Sequence, residues 1–455
     1  MIKKNVFFLI IDGLRADRLD GKQDNAKTPN LVKLVEKACI FDQAISTADG
    51  TTLALNTIFT SQFPFRTGTR AKEVYTDNSN YIHNLKNNGF SVYGVIPDLT
   101  SLSRFRFNFQ NSVNSLKGTP PNIEHLWEGA GEKILQLFDN TKMKEPWFCY
   151  VHPMDLHDPL IVPKDFDSEK FGNSKYDRVL SAVDKWIGDI MDKIDFSTTT
   201  IVITADHGSI IPEGDLGYSD YEPELKTGLN VGKKIMPKST HKIGAKMIVG
   251  LRNKIRDSRL KKANEGLTPY QIRSRLPYFR LTLFDEAIRV PLLFIDKDIP
   301  KKRILRQVTN MDIFPTIFDI LGIDDSPKGI LDGRSLVPIL ENKNTDELPA
   351  YFNTIAHAEI TLDDKVGIRT SKYKYFRPTT TKDKEINLYD LENDPQENVN
   401  IADNNPEIVS KMEKILEDMT QDQDDSKINK IEIERLEKIN DELKLLGYKK
   451  TWTEK

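Results

Sequence analysis

The chain has 455 residues, which is more than one ordinary domain and predicts a large α/β domain with a smaller one attached. Its 65 Lys and Arg nearly balance its 68 Asp and Glu, so the net charge of −3 gives no general support to nucleic-acid binding. The two cysteines, Cys39 and Cys149, are too few for a disulfide framework or a cysteine metal site. Their apolar neighbours predict small buried side chains.

The N-terminal apolar run, from Val6 to Ile11, stops at Asp12. A secretory signal needs about 7–15 apolar residues followed by a cleavage site, and a membrane span needs about 18 apolar residues. We find neither pattern in the sequence and therefore expect a cytoplasmic protein.

Short apolar runs alternate with helical patterns through residues 1–340. Strands are predicted at NVFFLII, SVYGVI, WFCYVH, TTTIVITAD and VPLLFI, and helices at TPNLVKLVEKA, NYIHNLKNNG and DIFPTIFDILG. Continuous apolar strands separated by helices predict an α/β domain whose central, mostly parallel sheet is sandwiched by helices. Polar residues that follow such strands collect at one edge of the sheet, where ligands bind.

The C-terminal part has a different pattern. The polar run 341–350 predicts a linker, and residues 351–403 predict a small α+β subdomain with a hairpin at VGIRTSKYKYFRP and a strand at EINLYDLENDPQENVN. Residues 404–455 predict a charged helical tail. Its apolar stripe packs back on the domain or pairs with a second chain in a homo-oligomer, and its residues are Ile428, Ile431, Leu436, Ile439, Leu443 and Leu446.

Four groups of polar residues follow the predicted strands or enter a helix. They comprise Asp12, Thr51, the group His152, Asp155 and His157, and the pair Asp206 and His207. Each motif alone is weak, since a strand-terminal Asp is more often a helix cap.

Two carboxylates, an imidazole and a hydroxyl nevertheless form a suitable ligand set for one divalent cation, which would offset the cost of burying the acids. The imidazole favours Mn²⁺ or Zn²⁺ over Mg²⁺ or Ca²⁺, which prefer oxygen ligands.

In this order, the motifs resemble the sulfatase family of the alkaline phosphatase superfamily. NVFFLIIDGLRAD looks like its opening strand and first metal aspartate, YVHPMDLHDPL like its His-containing substrate loop, and TIVITADHGS like its second metal pair. The segment TIFTSQFPFRTG resembles the family sequence that follows the nucleophile at a fixed spacing, and this resemblance places Thr51 in the nucleophile position. LFDEAIRVPLLF and INLYDLENDPQENVNIA are similar to the end of the core and the C-terminal subdomain, so the resemblance covers nearly the whole chain.

The resemblance implies an alkaline-phosphatase-like fold and a metal-dependent hydrolase of phosphate, phosphonate or sulfate esters. It implies a covalent intermediate on Thr51 and one metal ion held by Asp12, Thr51, Asp206 and His207. Other predicted roles are those of catalytic groups for His157, His241 and Arg280, and of substrate-binding groups for His152, Asp155 and Lys242.

The departures from the family pattern matter as well. Thr51 is not followed by the Pro and Arg of sulfatases and is not a Cys or Ser, which excludes formylglycine at this position. Threonine is the nucleophile type of related phosphodiesterases, phosphonate hydrolases and phospho-group transferases. Gly13 stands where the family has a second aspartate, and Arg280 where it has a lysine. Three alternatives stay open: a sulfatase without formylglycine, a phospho-group transferase acting on cell-surface glycans, and a non-catalytic binder of anionic glycans.

The segment 209–280 is a basic insertion. Between Lys226 and Arg280 it has 15 Lys and Arg against two acids, Asp257 and Glu265. One interpretation is a lid that captures an anionic glycan or a lipid head group at a membrane surface. The alternative is a solvated insertion with no such role.

Overall fold

In the computed structural model, the described residues are 4–19, 25–67, 74, 80–109, 123–139, 143–211, 241–274, 283–324, 327, 330–343, 346–354, 364–379, 381 and 385–421. Within them lies a seven-stranded sheet with the order β3-β4-β1-β5-β6-β2-β7. Its strands are β1 Asn5–Ile10, β2 Cys39–Ile45, β3 Ser91–Val95, β4 Trp147–Val151, β5 Thr199–Thr204, β6 Arg289–Ile295 and β7 Lys302–Thr309.

All strands of this sheet run in one direction except β6, which is antiparallel to both of its neighbours. The five apolar runs singled out in the sequence form β1, β3, β4, β5 and β6, which confirms the mostly parallel sheet. The strands β2 and β7 are absent from the prediction, because polar residues such as Asp42 and Arg306 interrupt their apolar pattern.

Thirteen α-helices fall within the described residues. They are α1 Pro29–Val35, α2 Thr51–Thr60, α3 Pro64–Thr67, α4 Tyr81–Asn87, α5 Ser103–Arg106, α6 Ala130–Phe138, α7 Lys175–Met191, α8 His241–Ala263, α9 Pro269–Arg273, α10 Asp285–Ile288, α11 Ile313–Leu321, α12 Val337–Leu340 and α13 Pro406–Thr420. Single 3₁₀ turns lie at Ala16–Arg18, Thr100–Leu102, Leu126–Glu128, Lys164–Phe166, Glu169–Phe171, Asn310–Asp312 and Ala402–Asn404.

Two adjacent phenylalanines of β1 show how helices cover both faces of the sheet. Side chains alternate between the faces of a strand. Phe8 packs edge-on against Phe59 of α2 and Phe314 of α11, whereas Phe7 packs against Phe138 of α6. The helices α2 and α11 therefore cover one face and α6 covers the other, as a sandwiched sheet requires.

A second, antiparallel sheet has the order β11-β10-β9-β8. Its strands are β8 Ala350–Thr354, β9 Lys365–Arg369, β10 Tyr373–Pro378 and β11 Asn387–Asp390, and Met412 and Leu416 of α13 pack against it. The predicted hairpin corresponds to β9 and β10. The strand β8 begins at the last residue of the predicted linker, and the apolar stripe from Ile428 to Leu446 lies outside the described residues.

Both cysteines are buried and unpaired, as predicted. Burial raises the pKa of Cys39 to about 11 and that of Cys149 to about 12, so neither thiol is a reactive thiolate at neutral pH. No helix in the described part of the chain is long and apolar enough to cross a lipid bilayer.

Candidate active site

The register of the central strands brings the polar motifs together. Leu9 of β1 lies between Val151 of β4 and Ile203 of β5, and all three strands run parallel. The residues that follow these strands therefore meet at one edge of the sheet. They are Asp12 after β1, His152 after β4, and Asp206 and His207 after β5.

Asp206 is held by one of its two carboxylate oxygens. Its Oδ1 accepts hydrogen bonds from the backbone N–H of Gly13 at 3.3 Å and of His207 at 2.9 Å. Its Oδ2 is buried and has no hydrogen-bond partner. The carboxylate is thus oriented by the backbone and presents its free oxygen to the centre of the cluster.

Two glycines allow the backbone to approach this closely. Gly13 has a φ of +68°, a left-handed conformation that glycine adopts at little cost. Gly208 donates its N–H to the carbonyl of Ala287, and a Cβ atom at Gly208 would lie 2.1 Å from the carbonyl oxygen of Glu286. A larger residue at position 208 would therefore displace the Asp206–His207 pair or the segment before β6.

The tautomer of His207 follows from its backbone contact. Its Nδ1 lies 2.7 Å from the carbonyl oxygen of Gly208, which can only accept, so Nδ1 carries the proton. Nε2 then faces Asp206 Oδ2 at 3.6 Å and Thr51 Oγ1 at 3.3 Å. Burial alone would lower the pKa of His207, but the two carboxylates raise it to about 9. The site therefore attracts positive charge strongly.

Thr51 is the first residue of α2, and Gly50 precedes it in extended conformation. Its hydroxyl donates to Asp12 Oδ2 at 3.2 Å. Thr51 is half-buried, whereas the neighbouring Thr52 is buried. The hydroxyl that faces the cluster is therefore that of Thr51, and the backbone N–H groups of the first helical turn lie beside it, a favourable place for an anion.

The buried polar atoms of this cluster fit a divalent cation. Asp12 Oδ1 and Asp206 Oδ2 are both buried without a hydrogen-bond partner. Ligand atoms of Asp12, Asp206 and His207 lie within 4.8 Å of one another. Such spacing suits metal–ligand bonds of about 2.0–2.2 Å.

The pKa values of Asp12 and Asp206 also reflect a cluster that lacks basic side chains. Burial and the Asp12 carboxylate raise the pKa of Asp206. Burial alone would also raise the pKa of Asp12, but the imidazoles of His152 and His207 hold it below its usual value. No Lys or Arg among the described residues forms an ion pair with either acid.

The remaining predicted site residues are less central or undescribed. His157 follows in the same loop and is half-buried, with Nδ1 2.6 Å from the carbonyl oxygen of Asp158. Asp155 is buried, and its Oδ1 accepts from the backbone N–H of Leu126 at 3.0 Å. Their roles in catalysis and substrate binding stay predictions. Arg280 and the side chains of His241 and Lys242 lie outside the described residues.

The sequence-based prediction omits one residue that contacts this cluster. The hydroxyl of Tyr150 lies 2.7 Å from Nδ1 of His152, two positions along the chain. Alternate residues of a strand share a face. The apolar context of WFCYVH nevertheless makes Tyr150 look like a core residue, so only the presence of His152 two positions later could have identified it.

Comparison with known proteins decides the family. The sulfatase family model matches residues 4–323, more than half of the chain, and the model of the C-terminal part of N-sulphoglucosamine sulphohydrolase matches residues 278–423. The chain belongs to the sulfatase family. This is a family of sulfuric ester hydrolases, and the family predicted from the sequence is confirmed.

Individual relatives are distant. The chain is 32% identical over 130 residues to a choline-sulfatase of Rhizobium meliloti (strain 1021). The aligned segment covers 28% of this chain and 24% of that protein. The chain spans about a quarter of the length of the curated relatives that it matches.

Two solved structures share the fold over most of the chain. A 2-O GAG sulfatase is similar with a TM-score of 0.64 and 16% identity over 92% of both chains. The phosphonate monoester hydrolase of Agrobacterium radiobacter is similar with a TM-score of 0.62 and 16% identity, over 92% of this chain and 96% of that one. At these identities the likeness establishes the fold, which confirms the predicted alkaline-phosphatase-like architecture.

Proposed function

We propose that this sulfatase-family chain is a metal-dependent ester hydrolase in which Thr51 is the nucleophile. The substrate is the ester of a tetrahedral oxyanion, which is a sulfate, a phosphate or a phosphonate. The observation that carries the proposal is the position of the Thr51 hydroxyl. It lies 3.2 Å from Asp12 Oδ2 and 3.3 Å from His207 Nε2, at the start of a helix and beside two unpartnered buried acid oxygens.

Asp12, Asp206, His207 and Thr51 would hold one divalent cation, with Mn²⁺ or Zn²⁺ favoured by the imidazole. Such a cation would supply Lewis-acid stabilisation of the Thr51 alkoxide and of the non-bridging oxygens of the ester. The two carboxylates supply two negative charges, and the Gly208 carbonyl orients His207 so that Nε2 faces the cluster, where a cation would replace the proton on that nitrogen.

The reaction has two in-line steps. The Thr51 oxygen forms a bond to sulfur or phosphorus, its proton passes to the adjacent carboxylate oxygen of Asp12, and the bond to the leaving alcohol oxygen breaks. His157, in the loop after β4, gives a proton to the leaving oxygen. Water then attacks the same sulfur or phosphorus and gives a proton to His157, while the bond to the Thr51 oxygen breaks and Asp12 returns the proton to that oxygen. In a transferase, a sugar hydroxyl would replace that water.

A cavity of about 380 Å³ is a candidate site for the remainder of the substrate, although the proposed metal ligands do not line it. Ile210 and Ile211, which follow His207 closely, line it together with Arg15, Tyr270 and other polar residues. The Arg15 guanidinium donates to the hydroxyl of Tyr270 at 2.7 Å. This contact places the end of the basic insertion next to the loop that carries Asp12.

We further propose that the insertion captures an anionic glycan. Helix α8 carries exposed basic side chains on its C-terminal half, namely Lys254, Arg259, Lys261 and Lys262. Fixed positive charge near the site raises the local concentration of a polyanion, and salt weakens the effect because the screening length is about 8 Å at physiological ionic strength. Contact with an anionic membrane is the alternative for the same surface.

The nucleophile is tested with Thr51→Ala, assayed on aryl sulfates, phosphate monoesters, phosphate diesters and phosphonates with Mn²⁺ and Zn²⁺. We expect turnover to fall at least about 10³-fold with an unchanged melting temperature. Thr51→Ser keeps a hydroxyl and should retain measurable activity. Thr52→Ala is the matched control and should keep activity within about threefold, because its side chain faces the interior. Full activity in Thr51→Ala would exclude the nucleophile, and no turnover of any ester by the metal-loaded wild type would favour the non-catalytic binder.

The capture proposal is tested with a triple variant, Lys254→Gln, Lys261→Gln and Lys262→Gln. For a polysulfated glycan we expect KM to rise about threefold to tenfold and its salt dependence to flatten. The kcat for a small aryl ester should not change. Lys185→Gln, an exposed lysine on α7, is the control. An unchanged KM would identify the insertion as a solvated segment without a role in capture.

A further inference from the structure

His152 is the buried side chain whose role the reaction scheme leaves open. It is fully buried directly after β4, and its Nδ1 lies 2.7 Å from the Tyr150 hydroxyl. Its Nε2 lies 3.5 Å from Asp12 Oδ2 and 4.0 Å from Asp206 Oδ2, and it has no hydrogen-bond partner. The imidazole therefore connects a phenol on one side with the carboxylates of the cluster on the other.

We propose that His152 is a positioning residue that orients the Asp12 carboxylate for cation binding, and that Tyr150 fixes the His152 tautomer needed for this. The inference rests on the metal site of the proposed function. It differs from the contact with substrate that the sequence suggests for His152.

The tautomer follows from Tyr150. Burial raises the pKa of Tyr150 well above its ordinary value, so the phenol keeps its proton and can donate it to Nδ1. With Nδ1 accepting from Tyr150, the ring proton lies on Nε2 and points at the two carboxylates, an attractive arrangement. The opposite tautomer would direct the Nε2 lone pair at two anionic oxygens, which repel it.

The partners of Asp12 show what this orientation achieves. The Oδ2 atom is approached by the Thr51 hydroxyl at 3.2 Å and by His152 Nε2 at 3.5 Å, whereas Oδ1 has no hydrogen-bond partner. With the Thr51 hydroxyl and His152 Nε2 both facing Oδ2, Oδ1 is left for a cation. Groups that hold a metal ligand in this manner typically contribute about 10-fold to 100-fold to metal affinity.

The proton on Nε2, rather than distance, separates this role from that of a ligand. His152 Nε2 lies about as close to the two acids as His207 Nε2 lies to Asp206, but the Tyr150 contact places a ring proton on it. The group of acid and histidine atoms within 4.8 Å of one another is that of Asp12, Asp206 and His207. A single imidazole nitrogen, that of His207, is therefore expected on the metal.

The experiment measures Mn²⁺ binding to the full chain, with the dissociation constant from EPR titration and the nitrogen ligands from ENDOR. We expect His152→Ala to weaken Mn²⁺ binding about 10-fold to 100-fold, and Tyr150→Phe about threefold to tenfold. His152→Gln, whose amide can place a donor near the position of Nε2, should stay within about threefold of wild type. Melting curves in EDTA establish that each variant is folded, and the Gln and Phe variants suffice if the Ala variant is not.

The ENDOR spectrum supplies the readout that simple loss of packing would not change. One nitrogen coupling is expected in wild type and in His152→Gln, and none in His207→Ala. Loss of a nitrogen coupling in His152→Gln would make His152 a ligand and overturn the proposal. Wild-type affinity in Tyr150→Phe and in a folded His152→Ala would overturn it as well. A wild-type chain that binds no Mn²⁺ or Zn²⁺ would instead refute the metal site of the proposed function.

Discussion

Two groups of carboxylates in the described part of the chain differ in what surrounds them. At the sheet edge, Asp12 and Asp206 have no ion pair with Lys or Arg within the described ranges. Between the large sheet and the small one, Asp285 lies 2.9 Å from both Arg369 and Lys374, and Glu397 lies 2.9 Å from Lys374. Asp12, Asp206 and Glu397 are buried and Asp285 is half-buried, so the two groups differ mainly in the presence or absence of basic partners.

The second group ties the two sheets together. Asp285 begins α10, Arg369 and Lys374 belong to β9 and β10, and Asp285 accepts hydrogen bonds from both basic side chains. A neighbouring pair, Arg273 and Glu286 at 2.8 Å, extends the network to α9. Its three acids thus face three basic groups, which indicates a structural role. The two acids at the sheet edge, Asp12 and Asp206, have no basic partners among the described residues, which indicates a cation-binding site.

The largest effect that this comparison predicts is on stability, in the group of acids around Asp285 that have basic partners. Asp285→Asn should lower the free energy of unfolding by about 3–5 kcal/mol, because it removes the carboxylate that pairs with buried Arg369 and leaves buried Lys374 with Glu397 alone. Denaturant unfolding monitored by circular dichroism measures this loss. Asp189→Asn is the control: Asp189 pairs with Lys185 at 3.2 Å on the exposed face of α7, and its loss should cost less than about 1 kcal/mol. Equal effects of the two variants would show that the buried network contributes little.

An Asp-to-Asn substitution at the sheet edge, where the acids lack basic partners, should change the free energy of unfolding in the opposite direction. In EDTA, Asp206→Asn should raise the free energy of unfolding by roughly 1–2 kcal/mol, because it removes repulsion with Asp12 inside the protein. Its amide oxygen can still accept from Gly13 and His207, as Oδ1 does now. The measurement is the same unfolding curve, without metal. A loss of stability as large as that of Asp285→Asn would erase the distinction between the two groups.

The two groups also differ in how far the sequence predicts them. Asp12 and the Asp206–His207 pair directly follow apolar runs, so local pattern together with the geometry of parallel strands predicts that they converge. The matched network has no such local signal, because Asp285 lies 89 positions from Lys374 and 112 from Glu397. Only the packing of the second sheet against the first creates these pairs.

The strands of the central sheet also differ in how far the sequence predicts them. The apolar strands β1, β3, β4, β5 and β6 are evident from the sequence, whereas β2 contains Asp42 and Gln43 and carries a register shift beside them. A strand interrupted in this way is stabilised by its neighbours rather than by its own pattern. The contact between Tyr150 and His152 is hidden for a related reason, since a tyrosine in an apolar strand looks the same whether or not its hydroxyl serves a site.

The central claim, that the unmatched acids hold a catalytic cation, is tested most directly by metal content. Wild type, Asp206→Asn and Asp285→Asn would be loaded with Mn²⁺ or Zn²⁺, freed of excess metal and measured by inductively coupled plasma mass spectrometry. We expect about one ion per chain in wild type and in folded Asp285→Asn, and close to none in Asp206→Asn, because only the last variant removes a ligand. Equal metal content in Asp206→Asn and wild type, or a wild type that retains no metal, would contradict the account.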